Sequence, residues 1–285
     1  MILDFNENKP VAVLLGAGSM GLAIIRRVAA GATVLLGDVS EENLDRAAES
    51  LRFNGYDVHT MVVNALNKDE VYAFAAKAAD LGDVKWFVDT AGASPSQATP
   101  QFIIDLDLIG ASYAIDAFAP VMARGGAGLV VSSQAGWMGH FTEEEENTLA
   151  LTPTDELRDL EMLSSDVVTS SGRAYIVAKR ANHLRVRTAA ATTWAESRAR
   201  INTISPGIVM TPVAYDEFSA PGNTYQTMIE KDACQRVATP DEIAAAAAFL
   251  LGPDASFVTG TDLLIDGGTI ASMKVGAYEG RHNQR

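Results

Sequence analysis

The chain has 285 residues, 48% of them hydrophobic, and a formal net charge of −14 at pH 7. That size and apolar content suit one large α/β domain with a substantial core, and the acidity without a basic stripe argues against nucleic acid as a partner. A single cysteine, Cys234, excludes an internal disulfide and reads as a packed small side chain; the four histidines are scattered, and no cluster has metal-ligand spacing. No run reaches the roughly 18 apolar residues of a membrane span, and Met1-Ile2-Leu3-Asp4 lacks the basic start of a signal peptide, so a cytoplasmic protein is expected.

Residues 11–15 form an unbroken apolar run, as expected of a strand covered on both faces of a parallel sheet. The turn that follows, Gly16-Ala17-Gly18-Ser19-Met20-Gly21, is a G-x-G-x-x-G. Its first glycine suits a tight turn, its second lets backbone approach a pyrophosphate, and its third lets helix pack closely on strand. A helix beginning here aims its N–H groups and positive dipole at phosphates. The next strand, 33–37, ends in Asp38, 22 residues after Gly16 and near the spacing at which an acid accepts hydrogen bonds from the adenine ribose. A 2′-phosphate there would be repelled, and Val39 and Ser40 offer no cation, so NAD is favoured over NADP. With 23 glycines in the chain, spaced triplets arise by chance; the strand, helix and acid around this one carry the reading.

Ser40 is placed as an N-cap with Glu41 and Glu42 in the first turn of a helix to about residue 53. A third strand is expected over 58–63, and Asn64 after it either meets the adenine ring or serves as a turn residue. A helix over 68–79 leads to strand 86–88, closed by Asp89-Thr90-Ala91-Gly92. A long helix over 100–121 precedes strand 129–131. A second long helix spans 173–196, and strands at 200–204 and 263–265 flank a loop and the alanine-rich helix 241–251. This alternation of β and α predicts a single domain over 1–285 with a doubly wound parallel sheet, a Rossmann fold. The exception is 137–172, which holds nine acids against the one base Arg158 and reads as an inserted acidic segment. Its glutamate run is a solvated face, a lid or an interaction surface, and Leu149, Leu151, Leu157, Leu160, Met162 and Leu163 predict a small helical subdomain within it.

Tyr175-Ile176-Val177-Ala178-Lys179 places a phenol and an ammonium four apart on one helix face. An unperturbed tyrosine titrates near 10, too high for a base at neutral pH, and a fixed cation nearby favours the phenolate. Tyr175 would then take the proton of an alcohol as its hydride leaves, or donate one to a carbonyl. Ser132-Ser133 follows strand 129–131 at the carboxyl end of the sheet, where ligands of doubly wound proteins bind.

The glycine turn, the acid after the second strand, Ala91-Gly92, Ser132-Ser133, the Tyr-x-x-x-Lys, and Pro206-Gly207 with Thr211 together resemble the short-chain dehydrogenase/reductases over about residues 11–268. The resemblance implies that Ser133 holds the substrate oxygen, that Tyr175 is the general acid/base, and that Lys179 holds the nicotinamide ribose and eases deprotonation of Tyr175. It also implies that Ala91, Gly92, Pro206, Gly207, Val209 and Thr211 line the cofactor, and that the chain forms a homodimer or homotetramer through its two long helices. Four features depart from the family pattern. The glycine spacing is the shorter dinucleotide form, and Asp89-Thr90 replaces Asn-Asn. Asp107 stands where many members carry a catalytic asparagine, and a carboxylate there opposes deprotonation of Tyr175 unless it is turned away or neutral. Finally, 42 positions separate Ser133 from Tyr175, with segment 137–172 accounting for the excess.

The expected activity is NAD-dependent interconversion of a secondary alcohol and a ketone. Epimerase or dehydratase chemistry and a non-catalytic NAD-binding role are the alternatives. The segment before the catalytic tyrosine resembles that of bacterial hydroxysteroid dehydrogenases, and Trp137, Met138, Val213, Tyr215, Phe218 and Met228 would accept a steroid, bile acids included. The acidic segment would repel a bile-acid carboxylate unless that tail points elsewhere.

Overall fold

The computed structural model describes residues 9–212, 214–215 and 225–276. Seven parallel strands form one sheet in the order β3-β2-β1-β4-β5-β6-β7: β1 (Pro10–Leu15), β2 (Thr33–Asp38), β3 (Asp57–Val62), β4 (Asp83–Asp89), β5 (Met122–Val131), β6 (Arg200–Pro206) and β7 (Asp262–Ile265). The order reverses between β1 and β4, which opens a crevice at their carboxyl ends, beside the glycine turn. The apolar run of β1 is divided between two cores. Ala12 and Leu14 face α1 (Ser19–Val28) and α2 (Glu41–Phe53), whereas Val11, Val13 and Leu15 face α3 (Lys68–Leu81) and the helices after β4. A strand covered on both faces needs both sets apolar, which is why β1 does not alternate.

The predicted helix over 100–121 is not uniform. It comprises α4 (Pro100–Ile103), a π-helical stretch Ile104–Gly110, α5 (Ala111–Phe118) and a 3-10 turn Ala119–Val121. A Cβ on Gly110 would lie 2.8 Å from the Ala65 carbonyl oxygen, so only glycine lets this element pass so close to the β3–α3 loop. The widened turn holds Asp107. The second long helix divides into α7 (Ser171–Ala191) and α8 (Thr193–Glu196).

Between β5 and α7 lies α6 (Glu143–Leu151), followed by 3-10 turns at Thr154–Asp159 and Glu161–Leu163. This stretch is helical, as expected, but it is not a subdomain with its own core. Leu149, Leu157 and Leu163 are buried against Ile104, Leu108 and the α7 residues Ala178, Ala181 and Leu184, whereas Leu151 is exposed. So short a segment cannot enclose a core by itself and completes one with its neighbours. Its acids are partly engaged: Glu145 closes a capping box with Thr142, Glu146 pairs with Arg180, and Asp155 lies 2.5 Å from Lys68. Buried Arg185 of α7 anchors it by donating to the carbonyls of Leu149 and Thr152 (3.2 and 2.9 Å) and to Thr154 Oγ1 (2.7 Å), whose hydroxyl donates to Asp116 of α5. The segment thus covers part of both long helices from within the same chain.

The remaining helices are α9 (Tyr225–Lys231), α10 (Pro240–Leu251) and α11 (Thr269–Lys274). Val213 and Phe218, read above as substrate-loop residues, and the tail beyond Gly276 lie outside the described residues. Among the described residues no helix is long and apolar enough to cross a membrane.

Replacing Arg185 with leucine strips three acceptors of their donor and removes the positive charge that favours the buried Asp116 carboxylate. It is expected to destabilise the protein by about 3 kcal/mol and to expose residues 143–163 to proteolysis. Urea unfolding and limited digestion read both effects, and an unchanged midpoint with an uncut segment would contradict this anchoring role.

Candidate active site

The glycine turn is built as its sequence requires. Gly16 has φ +87°, and a Cβ on it would stand 2.6 Å from the Ala91 nitrogen. A side chain there is excluded on both counts. Gly18, by contrast, faces open space, and as N-cap of α1 it offers no side-chain oxygen to the first N–H groups. No acid lies in the first turn. Free N–H groups, a positive dipole and an open approach are the requirements of a phosphate cradle, so these residues fit a dinucleotide pyrophosphate.

A cavity of about 1020 Å³ runs along this turn. It is lined by Gly16, Gly18, Ser19, Met20 and Gly21, by Asp38 and Asn64 at one end, and by Ala91, Gly92 and Thr211 at the other. Both Asp38 oxygens accept backbone hydrogen bonds, from Ala17 N–H (2.8 Å) and Ser40 N–H (2.9 Å), which fix the carboxylate at the cavity wall and leave lone pairs for ribose hydroxyls. Asn64 behaves as a turn residue, accepting from Leu66 N–H at 3.0 Å, while also lining the cavity. Asn43, Arg46 and Ser50 of α2 line it too, and the Arg46 guanidinium donates to Asn43 Oδ1. The sequence reading placed no cation here because it looked only at the residues next to Asp38. The signal was the three-to-four-residue spacing of 43, 46 or 47, and 50 along one helix face.

Pro206, Gly207 and Val209 do not line this cavity. Gly207 N–H donates to the Ile265 carbonyl at 2.8 Å, and Val209 is buried in a bridge to Ala238. Ser133, Tyr175, Lys179 and Asp107 do not line this cavity either; Lys179 meets its wall at Val131, and both Lys179 and Asp107 lie next to Gly92. Ser132 at the end of β5 is buried and donates to the Lys179 carbonyl at 2.8 Å, which ties β5 to α7. Half-buried Ser133 next to it accepts from Ala135 N–H at 3.1 Å, and its own proton stays available for a ligand. One turn before Lys179, Tyr175 presents its ring 5.3 Å from the ammonium. The Lys179 Nζ contacts the Val131 carbonyl at 3.4 Å and Asp107 Oδ2 at 3.0 Å, with both side chains buried. Asp107 Oδ1 accepts from Ala93 N–H at 2.8 Å. Of the two possibilities the sequence left open, turned away or neutral, the structure excludes the first: Asp107 is paired with the lysine.

A second carboxyl group was missed. Asp89, at the end of β4, is buried, accepts from Ala91 N–H at 3.0 Å, and is pushed up to about 7, chiefly by burial. The turn after Ser133 is fastened from behind: Trp137 Nε1–H donates to Asp262 Oδ2 (2.7 Å), and Thr203 and Ser205 donate to Oδ1 (2.7 and 2.8 Å). Ser205 spends its proton on Asp262, so the 2.8 Å contact with His183 Nε2 is donated by the imidazole. Burial holds His183 down at about 4, and it is neutral at physiological pH.

With this geometry in hand, the comparisons are decisive. Residues 10–143 match the family model for short chain dehydrogenase, and residues 158–269 match the model described as enoyl-(acyl carrier protein) reductase. The short-chain dehydrogenase/reductase bsc3 of Alternaria brassicicola is 38% identical over 92% of this chain and 96% of its own. The chain belongs to the short-chain dehydrogenase/reductase family. Among the relatives of this dehydrogenase/reductase is the 3-alpha-hydroxysteroid dehydrogenase/carbonyl reductase of Comamonas testosteroni, 32% identical over 65% of this chain and 72% of its own. The fold matches the crystal structure of gox2181 with a TM-score of 0.74 at 24% identity, covering 93% of this chain and 96% of that one. Residues 144–157, which include most of α6, fall between the two matched stretches.

Asp89 sets a pH dependence whose sign is fixed. Unfolded, the carboxyl titrates near 3.8; folded, near 7, so between these values only the folded state keeps the proton and stability falls as pH rises. Asp89→Asn keeps the acceptor for Ala91 and removes this loss. Relative to wild type it should gain up to roughly 4 kcal/mol between pH 4 and pH 8. Thermal unfolding across that range tests this, and parallel pH profiles for the two proteins would refute it.

Proposed function

We propose that this enzyme interconverts a secondary alcohol and a ketone using NAD, with a hydroxysteroid as the leading substrate class. The observation that carries the reading is Lys179, which lies 5.3 Å from the Tyr175 ring and 3.4 Å from the Val131 carbonyl at the end of β5, where Val131 lines the cavity that begins at the phosphate cradle. The nicotinamide supplies the hydride acceptor or donor. Ser133 donates to the substrate oxygen and fixes its position. Tyr175 takes the hydroxyl proton in oxidation and returns it in reduction, and the Lys179 ammonium would donate to the nicotinamide ribose. Lys179 is buried and Val131 beside it is half-buried, whereas Gly92 is open to the cavity.

Asp38 supports NAD, because a 2′-phosphate beside its fixed carboxylate is repelled; among the described residues, Arg46 of the cavity lining is the cation that would soften that preference. The steroid assignment draws on the Comamonas relative and on apolar Phe102 and Leu106 in the cavity wall. Its test is formation of reduced nicotinamide from NAD or NADP with hydroxysteroids, bile acids, polyols and simple secondary alcohols. Turnover of steroids with NAD supports the proposal; turnover confined to polyols or small alcohols overturns the substrate class, and preference for NADP overturns the cofactor.

Tyr175→Phe should lower kcat at least ~100-fold while NADH fluorescence titration gives an unchanged Kd. A fully active phenylalanine variant would refute the acid/base role. Asp38→Ala should weaken NAD and bring the two cofactors closer in kcat/KM, and an unaltered ratio would remove Asp38 from cofactor selection.

A further inference from the structure

Lys179 presents a physical problem that the family resemblance does not solve. Its side chain is 5% exposed, and a buried ammonium without a partner gives up its proton. The groups facing it come from three directions. Asp107 reaches it from the π-helical stretch at 3.0 Å, Asp89 lies at the end of β4, and Tyr175 and His183 flank it one turn before and one turn after on α7. His183 is neutral and Asp89 is held up to about 7, and Asp107, 3.0 Å from Nζ, is the nearest carboxyl group to the ammonium.

The surroundings are shaped for this pair. Asp107 Oδ1 is fixed by Ala93 N–H, which aims Oδ2 at Nζ. A Cβ on Gly92 would lie 3.3 and 3.5 Å from the two Asp107 oxygens and 3.5 Å from Nζ, so a side chain there would crowd the pair. An ammonium has three N–H donors. The Val131 carbonyl takes one at 3.4 Å and Asp107 Oδ2 pairs with the charge at 3.0 Å without hydrogen-bond alignment, which leaves a donor for a ligand.

We propose that Asp107 is a positioning residue, the counter-ion that keeps Lys179 charged and points its remaining donor at the nicotinamide ribose. This rests on the reading of the cavity as a nicotinamide site. An asparagine at 107 would satisfy Ala93 but supply no charge, so this chain has placed an ion pair where its family resemblance leads one to expect a neutral amide. Burial is the largest single influence and pulls Lys179 towards neutrality, but Asp107, Tyr175 and Asp89 together hold the ammonium above the ordinary lysine value. Burial likewise pushes the Asp107 carboxyl up, so each charge depends on the other.

The test is an NMR titration of side-chain-labelled lysine in the full-length protein without substrate, with the Lys179 signal assigned through Lys179→Arg. In wild type Lys179 is expected to titrate above an ordinary lysine; a value at or below it would overturn the proposal without any variant. In Asp107→Asn it should fall below the ordinary value, and in Asp107→Glu, a conservative rescue, it should stay above. NADH titrations should show Asp107→Asn losing roughly tenfold in affinity once the pH passes the new lysine midpoint, with no such step in wild type. An asparagine variant that leaves both readouts unmoved refutes the role. If Asp107→Asn does not fold, the wild-type and glutamate titrations still decide. Failure to oxidise any alcohol would remove the nicotinamide reading instead, because the lysine titration is independent of turnover.

Discussion

A buried lysine ammonium is the constraint from which the active site is organised. Lys179 sits beside the cavity wall at Val131 and 5.3 Å from the Tyr175 ring, and that position removes it from water. A cation can stay there only with an anion beside it and donors and acceptors matched around it. Each nearby irregularity serves that need. The π-helical stretch brings Asp107 to the ammonium, Gly92 leaves room for the pair, Ala93 N–H orients the carboxylate, and Ser132 pins the Lys179 backbone to the end of β5. π-Helical turns cluster at functional sites for this reason: they give up regular backbone bonding to move one side chain.

The same helix that carries Tyr175 and Lys179 is held from its other side by the chain's own acidic segment. Leu149, Leu157 and Leu163 complete a core with α7, and Arg185 fastens the segment with bonds to two carbonyls and a threonine. Behind the Ser133 turn, Trp137, Thr203 and Ser205 converge on Asp262, with neutral His183 donating into the network. Ser133, Tyr175 and Lys179 are thus mounted on elements gripped from several sides, an arrangement that suits preorganised chemistry.

Local chemistry made much of this legible in advance. Ser40 caps α2, Gly16 and Gly21 meet backbone or core atoms that exclude a side chain, and Tyr175 and Lys179 share a helix face because four residues make about one turn. What escaped the sequence was non-local. Asp107 and Lys179 are 72 positions apart, and nothing in a helical pattern announces a π turn that would join them. Asp89 was read as a departure at a strand end, whereas only burial between β4 and the ion pair gives it its titration near 7. The apolar residues of segment 143–163 were visible, but a periodicity cannot say whether they pack on one another or on α7.

The central claim, net hydride transfer between a carbinol carbon and a nicotinamide with Tyr175 handling only the proton, is tested most directly by isotope tracing. A hydroxysteroid deuterated at its carbinol carbon is incubated with the enzyme and NAD, and both products are examined by mass spectrometry. The account predicts deuterium in the reduced cofactor, none lost to solvent, and a ketone product. Deuterium returned to the same substrate carbon with inverted configuration, and no reduced cofactor released, would contradict it and establish epimerisation in its place.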